Sequence, residues 1–437
     1  MRLNKITKGI KPRVLAKLEF FNPGGSIKDR IGLAMILDAE SKGLIRPGYT
    51  IVEPTSGNTG MGLAFAAILR GYKIVFTVPD KMSRDKVDLL KAVGAKVRVT
   101  PTRLPPGHPA SYIEVAKRIA RETPNSFMPN QYENASNPDA HYATTGPEIW
   151  AQTDGAVDVL VAGVGTGGTI SGAGRYLKER KPSIRVVGVE PAGSILGARF
   201  RRKSTTARPY KVEGIGEDFV PKTLDMRVID DFVTVTDKDA LLMTRRLAKE
   251  EGILAGSSSG AAVLGALKIA RRLDSSKTIV VILPDTGRSY LNKVYNDDWM
   301  AEHRFISSPG RRVQAKALLE SKPKKQPSVI SIGPSEELSK ALGLMATYQI
   351  SHLPVIEDGV LVGSLTGELL MKELTTSKGH RKVEQFMGPP LPTVEVDARI
   401  MLPGAIVSGT GAVAVVDGTR VVGMITTTDV IRYLAKR

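Results

Sequence analysis

Up to about residue 300 the chain alternates short β-branched runs with stretches whose apolar residues recur at helical spacing. A strand at 50–53 is followed by a helix over 59–70, one at 73–78 by a helix over 83–93, and one at 157–162 by a helix over 169–180; a last strand falls at 278–283. Short apolar runs read as buried strands and stripes of period 3.6 as helices. Their alternation predicts α/β architecture, a parallel sheet covered by helices on both faces.

The pattern changes near 303. Residues 303–327 are basic and carry Pro and Ser at Ser307-Ser308-Pro309 and Pro323, which predicts a linker. Beyond it Val355-Ile356-Glu357-Asp358-Gly359-Val360-Leu361-Val362-Gly363-Ser364-Leu365-Thr366 recurs 60 residues later as Val415-Val416-Asp417-Gly418-Thr419-Arg420-Val421-Val422-Gly423-Met424-Ile425-Thr426. Each copy predicts a hairpin followed by a helix. One hairpin has too little core to stand alone, so the copies are expected to pack sheet against sheet. The domains are thus expected at 1–302 and 328–437, joined by 303–327.

Length and composition narrow the class. With 437 residues and 42% hydrophobic content the chain can bury more than one core. No apolar run is long enough to span a bilayer, and Met1-Arg2-Leu3-Asn4-Lys5 lacks the hydrophobic stretch of a signal peptide, so a cytoplasmic location and no membrane partner are expected. Zero cysteines exclude disulfides and thiolate metal sites, and the five histidines are too scattered for local zinc spacing, so no metal is expected. The formal charge of +18 raises nucleic acid as a partner. Yet the basic runs Arg199-Phe200-Arg201-Arg202-Lys203 and Lys322-Pro323-Lys324-Lys325 sit in no nucleic-acid motif and read as solvated loop and linker.

Candidate chemistry begins at Lys28, in Pro23-Gly24-Gly25-Ser26-Ile27-Lys28-Asp29-Arg30, where a glycine turn runs into a helix expected over 27–42. Ser26 is placed to cap that helix and Asp29 to reach back. An ammonium at a helix N-terminus meets the positive end of the macrodipole, which favours the neutral, nucleophilic amine. A solvated lysine on an amphipathic helix is the competing reading.

Glu53-Pro54-Thr55-Ser56-Gly57-Asn58-Thr59-Gly60 puts hydroxyls, an amide and backbone N–H groups at a strand's carboxyl end, where α/β sheets bind ligands; a polar turn with a cap is the alternative. Gly163-Val164-Gly165-Thr166-Gly167-Gly168-Thr169 also follows a strand and opens a helix, so it suits a phosphate. Gly163, Gly165 and Gly168 equally satisfy the dinucleotide fingerprint, with Glu190 near the place of a ribose-binding acid, so a nicotinamide enzyme competes. A monophosphate cofactor bearing an aldehyde uses Lys28 and both loops, which the dinucleotide leaves idle. Gly256-Ser257-Ser258-Ser259-Gly260 is a further small-residue turn, suited to capping a helix or to bonding a heterocyclic nitrogen.

Six ordered motifs, at 23–30, 53–60, 131–138, 165–169, 212–216 and 283–285, resemble the fold-type II pyridoxal-phosphate family of cysteine synthases and cystathionine β-synthases, over nearly all of residues 2–300. Ala135-Ser136-Asn137-Pro138, Glu213-Gly214-Ile215-Gly216 and Asn296-Asp297-Asp298-Trp299-Met300 resemble the cystathionine β-synthase branch, and the repeat resembles a pair of CBS domains. The implied fold is two parallel-sheet subdomains covered by helices, plus a C-terminal α+β CBS-domain pair.

The resemblance implies roles residue by residue. Lys28 would hold pyridoxal 5'-phosphate and later remove the substrate's α-proton. Gly165, Thr166, Gly167, Gly168 and Thr169 would bind the phosphate, Asn58 the ring 3-hydroxyl and Ser258 the ring nitrogen. A hydroxyl partner leaves that nitrogen less protonated than a carboxylate would, which favours expulsion of a β-substituent over transamination. Thr55, Ser56, Thr59 and Gln131 would hold the substrate carboxylate, with Tyr132 beside them. In the second repeat Thr426 and Asp429 would take the phosphate or ribose of S-adenosylmethionine or an adenine nucleotide, whereas Leu369 replaces the acid in the first. A purely structural pair is the alternative.

The implied reaction is β-replacement, serine or an activated serine with homocysteine giving cystathionine. A cysteine synthase using O-acetylserine and sulfide is the rival, and a catalytically silent adenosyl sensor the rival of another class. A homodimer or higher homo-oligomer is implied. The chain departs from the family in three ways. It starts late, so a first strand or dimer arm is expected to be missing. Glu217 replaces the tyrosine of animal and yeast cystathionine β-synthases, and no cysteine-proline haem segment is present, so no haem is expected.

Overall fold

The computed structural model describes all residues except 56, 81, 83, 102–106, 308–311, 323–326, 328, 375–380, 402–410 and 436–437. The chain divides into two compact units, Met1–Arg98 with Pro106–Tyr295, and Val99–Pro105 with Asn296–Arg437. Among the described residues no helix is long and apolar enough to cross a membrane.

The first unit holds two parallel sheets. One has the strand order Arg13–Leu18, Thr278–Leu283, Val159–Gly163, Arg185–Pro191, Asp231–Val235. In the other, Thr50–Pro54 lies between Lys73–Pro79 and Ser126–Phe127, parallel to both. Thr50–Pro54 and Thr278–Leu283 are buried at every position, as strands covered on both faces are. The larger sheet is sandwiched between two clusters: Val161, Val189, Ala262 and Ile279 belong to one, and Leu160, Val186, Ile170 and Val280 to the other.

Helices fall where the periodicity puts them, at Asn58–Leu69, Arg84–Ala92 and Gly168–Arg180. Helix Lys28–Ser41 lies directly against Asn58–Leu69, because Gly32 and Gly62 face each other. A Cβ at Gly32 would overlap the Gly62 carbonyl carbon, and one at Gly62 would sit 2.5 Å from the Lys28 carbonyl oxygen. Two glycines thus set the spacing between the helix of Lys28 and the helix of Asn58.

In the second unit each repeat forms a hairpin, His352–Glu357 with Val360–Thr366 and Ala412–Asp417 with Arg420–Thr426, followed by helices Gly367–Leu374 and Thr427–Ala435. Both hairpins shift register at the same repeat position, between Val355 and Ile356 and between Val415 and Val416. Leu361 of one hairpin shares a buried cluster with Ala412, Ala414, Val416, Val421 and Met424 of the other, so the copies pack on each other. Part of 303–327 is not free linker: strand Arg312–Gln314 pairs antiparallel with Arg399–Met401, and Leu318 of helix Ala315–Glu320 joins the core of the second repeat. A three-residue strand is too short to show as periodicity, and the surrounding charge concealed it.

The basic run at 199–203 is also partly packed. The Phe200 ring lies 5.3 Å from Phe232, and Arg201 donates to the carbonyls of Gly197 at 3.0 Å and Phe232 at 2.6 Å.

Candidate active site

Three strand ends converge in the first unit. Thr50–Pro54 leads into the turn of Asn58, Val159–Gly163 into the glycine loop, and Thr278–Leu283 into Pro284 and Asp285. Ile27 N–H donates to the Pro284 carbonyl at 2.8 Å and Thr286 N–H to Gly25 at 3.0 Å, so the last of these ends carries the turn that presents Lys28. Helix Lys28–Ser41 begins at the lysine itself. Ser26 Oγ accepts the Lys28 N–H at 3.2 Å, and the Asp29 carboxylate reaches back to Gly24 N–H at 2.5 Å. Arg30 locks the first turn through Glu19 at 2.8 Å and Glu148 at 2.7 Å.

Burial lowers the Lys28 pKa below the ordinary lysine value; the carboxylates of Asp285 and Glu217 pull it back up, and the Lys86 ammonium lowers it further. Desolvation therefore favours the neutral amine. Lys28 shares a cleft with Gly165, Thr166, Gly167, Thr169 and Gly214. Gly167 has φ +81°, and a Cβ there would sit 2.5 Å from Leu224 Cβ. One at Gly165 would sit 2.7 Å from the Gly214 carbonyl oxygen. The loop can therefore turn its N–H groups toward an anion only with glycine at these positions.

Two side chains outside the motif hold the glycine loop. Asn137 Nδ2 donates to Thr166 Oγ1 at 3.1 Å, and His141 bridges Thr145 Oγ1 at 2.9 Å and Thr169 Oγ1 at 3.1 Å. Burial, then the charges of Lys28 and Arg30, push the imidazole pKa well below its usual value, so His141 is neutral.

In the loop after Thr50–Pro54, buried Thr55 Oγ1 accepts the N–H groups of Gly57 and Gly60, both at 3.0 Å. Thr59 donates to Gln131 Oε1 at 2.6 Å. Glu53, fully buried, accepts from Asn130 N–H at 2.8 Å and Gln131 N–H at 2.9 Å; burial lifts its pKa to about 7. Tyr132 packs edge-on to Phe219, ring centres 5.2 Å apart. Ser56 lies outside the described residues.

Ser258 is buried in the first turn of helix Ser257–Ala270, whose cap is Gly256, so it is not a capping serine. Its neighbour Ser257 accepts the Glu213 N–H at 3.1 Å. Glu213 holds two ammoniums, Lys86 at 3.1 Å and Lys293 at 2.7 Å; burial works to raise its pKa, and those cations outweigh it. Lys86, Glu213, Asp285 and Tyr290 form a buried polar network; Glu213 and Asp285 lie in sequence motifs, and Lys86 and Tyr290 in none. Glu190 is committed elsewhere, accepting from Gly197 N–H at 2.9 Å and Thr234 Oγ1 at 3.1 Å, so it is no ribose-binding acid.

In the second unit Thr426 and Asp429 come together, but chiefly with each other. Asp429 Oδ2 accepts from Thr426 N–H at 2.9 Å and its hydroxyl at 2.8 Å, and Lys322 Nζ lies 3.0 Å away. In the first repeat Leu369 donates its N–H to Thr366 Oγ1 at 3.2 Å, and its side chain packs against that repeat's core.

The family described as pyridoxal-phosphate dependent enzyme matches residues 1–285, and the CBS domain matches 325–375 and 383–436. The chain belongs to the pyridoxal-phosphate dependent enzymes, with a C-terminal pair of CBS domains. It is similar to the cystathionine beta-synthase of Dictyostelium discoideum, 43% identical over 86% of this chain and 77% of that protein. It is also similar to that of Saccharomyces cerevisiae, 40% identical over 86% and 80%. The crystal structure of an O-acetylserine dependent cystathionine beta-synthase from Helicobacter pylori, 42% identical, covers 68% of this chain and 95% of its own with a TM-score of 0.63. The dinucleotide reading and the silent-sensor reading fall with these matches. Pyridoxal phosphate is the cofactor, and the glycine cradle beside a desolvated lysine fits its phosphate and aldehyde.

Proposed function

We propose that the enzyme condenses serine, or an activated serine, with homocysteine to give cystathionine. The observation that carries this is the desolvated Lys28 amine in one cleft with Gly165, Thr166, Gly167 and Thr169 of the glycine loop. Bound pyridoxal phosphate supplies the electron sink that acidifies the α-carbon and lets a β-substituent leave.

The residues do the rest. Lys28 Nζ would hold the cofactor and would be the base that takes the substrate's α-proton. The N–H groups of 165–169, the hydroxyls of Thr166 and Thr169, and the N-terminus of helix Gly168–Arg180 hold the phosphate. Asn58 meets the ring 3-oxygen and Ser258 the ring nitrogen. Thr55, Ser56, Thr59 and Gln131 hold the substrate carboxylate at the N-terminus of helix Asn58–Leu69, with Tyr132 beside the site.

A second reading, a cysteine synthase using O-acetylserine and sulfide, draws support for its donor from the O-acetylserine dependence of the Helicobacter pylori protein and for its acceptor from Glu217 in place of a tyrosine. Serine or O-acetylserine crossed with homocysteine or sulfide, products separated by mass, decides between them: cystathionine from serine supports the first reading, and cysteine from O-acetylserine and sulfide alone sinks it. Lys28→Ala should abolish every product. The CBS-domain pair is proposed to take an adenosyl ligand at Thr426 and Asp429, and the enzyme to work in the cytoplasm as a homodimer or larger oligomer.

A further inference from the structure

Asn58 and Asp285 are 227 positions apart, and Asn58 Nδ2 donates to Asp285 Oδ2 at 2.8 Å. Tyr290 donates its hydroxyl to the same oxygen. The direction of that second bond is fixed by chemistry. Lys86 Nζ lies 2.8 Å from the Tyr290 oxygen, and an ammonium has donors but no acceptor, so the tyrosine oxygen must accept there and send its own proton to Asp285. An ionised carboxylate only accepts, so the Asn58 amide must turn its nitrogen, and not its oxygen, toward Asp285.

Resting on the assignment of Asn58 to the cofactor's 3-oxygen, we propose that Asp285 is the positioning residue that orients the Asn58 amide, fixing which way its nitrogen and oxygen point and so how it meets that oxygen. Asp285 itself is fixed at both ends. Its backbone carbonyl accepts Gly256 N–H at 3.0 Å, from the turn that carries Ser258, and the residues on either side of it bond the turn that carries Lys28. Its other oxygen, Oδ1, is buried and accepts no hydrogen bond among the described residues. A Cβ at Gly256 would overlap that oxygen, so glycine is required there for the carboxylate to fit. The segment 284–286 thus couples three elements that the cofactor must meet together: the Lys28 turn and the Ser258 turn through its backbone, and the Asn58 helix through the Asp285 side chain.

The test is a double-mutant cycle on the affinity of apoprotein for pyridoxal phosphate, followed by fluorescence and by the visible band of the loaded protein. Asp285→Asn places an amide nitrogen among donors, misdirects Asn58, and should weaken binding about tenfold, the loss of one charge-assisted bond. In an Asn58→Ala background the same change should cost about twofold or less, and both single variants should move the visible band in the same direction. Competition by inorganic phosphate should be unchanged, because the glycine loop is intact. Equal losses with and without Asn58, or phosphate affinity lost in parallel, overturns the proposal. If Asp285→Asn does not fold, Asp285→Glu, which keeps the charge and moves it by one methylene, is read through the same cycle. Asn58→Ala with unaltered affinity and band would sink the Asn58 assignment itself, a result distinct from additivity.

Discussion

The ring nitrogen Nε2 of His141 lies 3.1 Å from Thr169 Oγ1 at the mouth of the glycine loop. Because burial and the nearby cations keep that imidazole neutral, it orients the hydroxyl without adding charge. Thr169→Val should then cost one hydrogen bond to a phosphate, about 1.5–3 kcal/mol or tenfold and more in cofactor affinity, read by titrating apoprotein. Gly167→Asp is a poorer probe, since φ +81° and the Leu224 contact would break the turn before any charge acted. Glu190→Ala should leave cofactor affinity unchanged, because its carboxylate is spent on Gly197 and Thr234.

Glu217 raises the Lys28 pKa against the larger effect of burial. Removing its charge therefore lets the pKa fall further. Glu217→Gln should shift the pH dependence of holoenzyme formation, which needs the neutral amine, to lower pH. The rate at which the visible band appears after mixing apoprotein with pyridoxal phosphate measures this; a shift to higher pH would contradict it.

Glu53 concerns stability. Its pKa rises from 4.5 to about 7 on folding, so the folded state binds the proton more tightly than the unfolded chain does. The resulting stability is fully present below about pH 4.5 and is lost as pH rises through about 7, an amount on the order of 3 kcal/mol. Glu53→Gln, which does not titrate, should flatten the fall in melting temperature between pH 5 and 8. Asp29, raised to about 6, has the same sign and should leave a residual slope. The variant should also raise KM for the amino acid, because Gln131 loses a carboxylate that fixes its N–H.

What was legible in the sequence follows range. Lys28, Asn58 and the glycine loop each sit in a turn between a strand and a helix, so local pattern locates them. Their supports do not. Lys86 meets Tyr290 across 204 positions, and Glu213 meets Lys86 across 127; Lys86 and Tyr290 lie in no motif, and the motif that holds Glu213 does not show its partner. Glu53 stood at the edge of a noticed motif with no role, because its partners are backbone N–H groups 77 and 78 positions away. The strand Arg312–Gln314 does not show in the local sequence because its pairing partner, Arg399–Met401, lies beyond the first repeat.

The same range hid Lys322, assigned to a linker, which ion-pairs with Asp429 at 3.0 Å. Ribose hydroxyls approaching Asp429 must compete with that ammonium and with Thr426. Asp429→Ala should weaken an adenosyl ligand tenfold or more, through charge-assisted bonds of about 1.5–3 kcal/mol each. It should also lower the melting temperature, since the carboxylate caps the N–H of Thr426 ahead of helix Thr427–Ala435. Lys322→Gln separates ligand classes. With Arg432 Nη1 a further 3.6 Å from the carboxylate, the surroundings are cationic, which favours a phosphate over a sulfonium. Lys322→Gln should therefore weaken AMP and ATP and tighten S-adenosylmethionine, whereas Leu369→Ala should change none of them much, since that side chain accepts no bond. Calorimetric titration of the full-length enzyme reads all of these, and no heat and no thermal shift with any of the three ligands would leave the CBS-domain pair as a structural element.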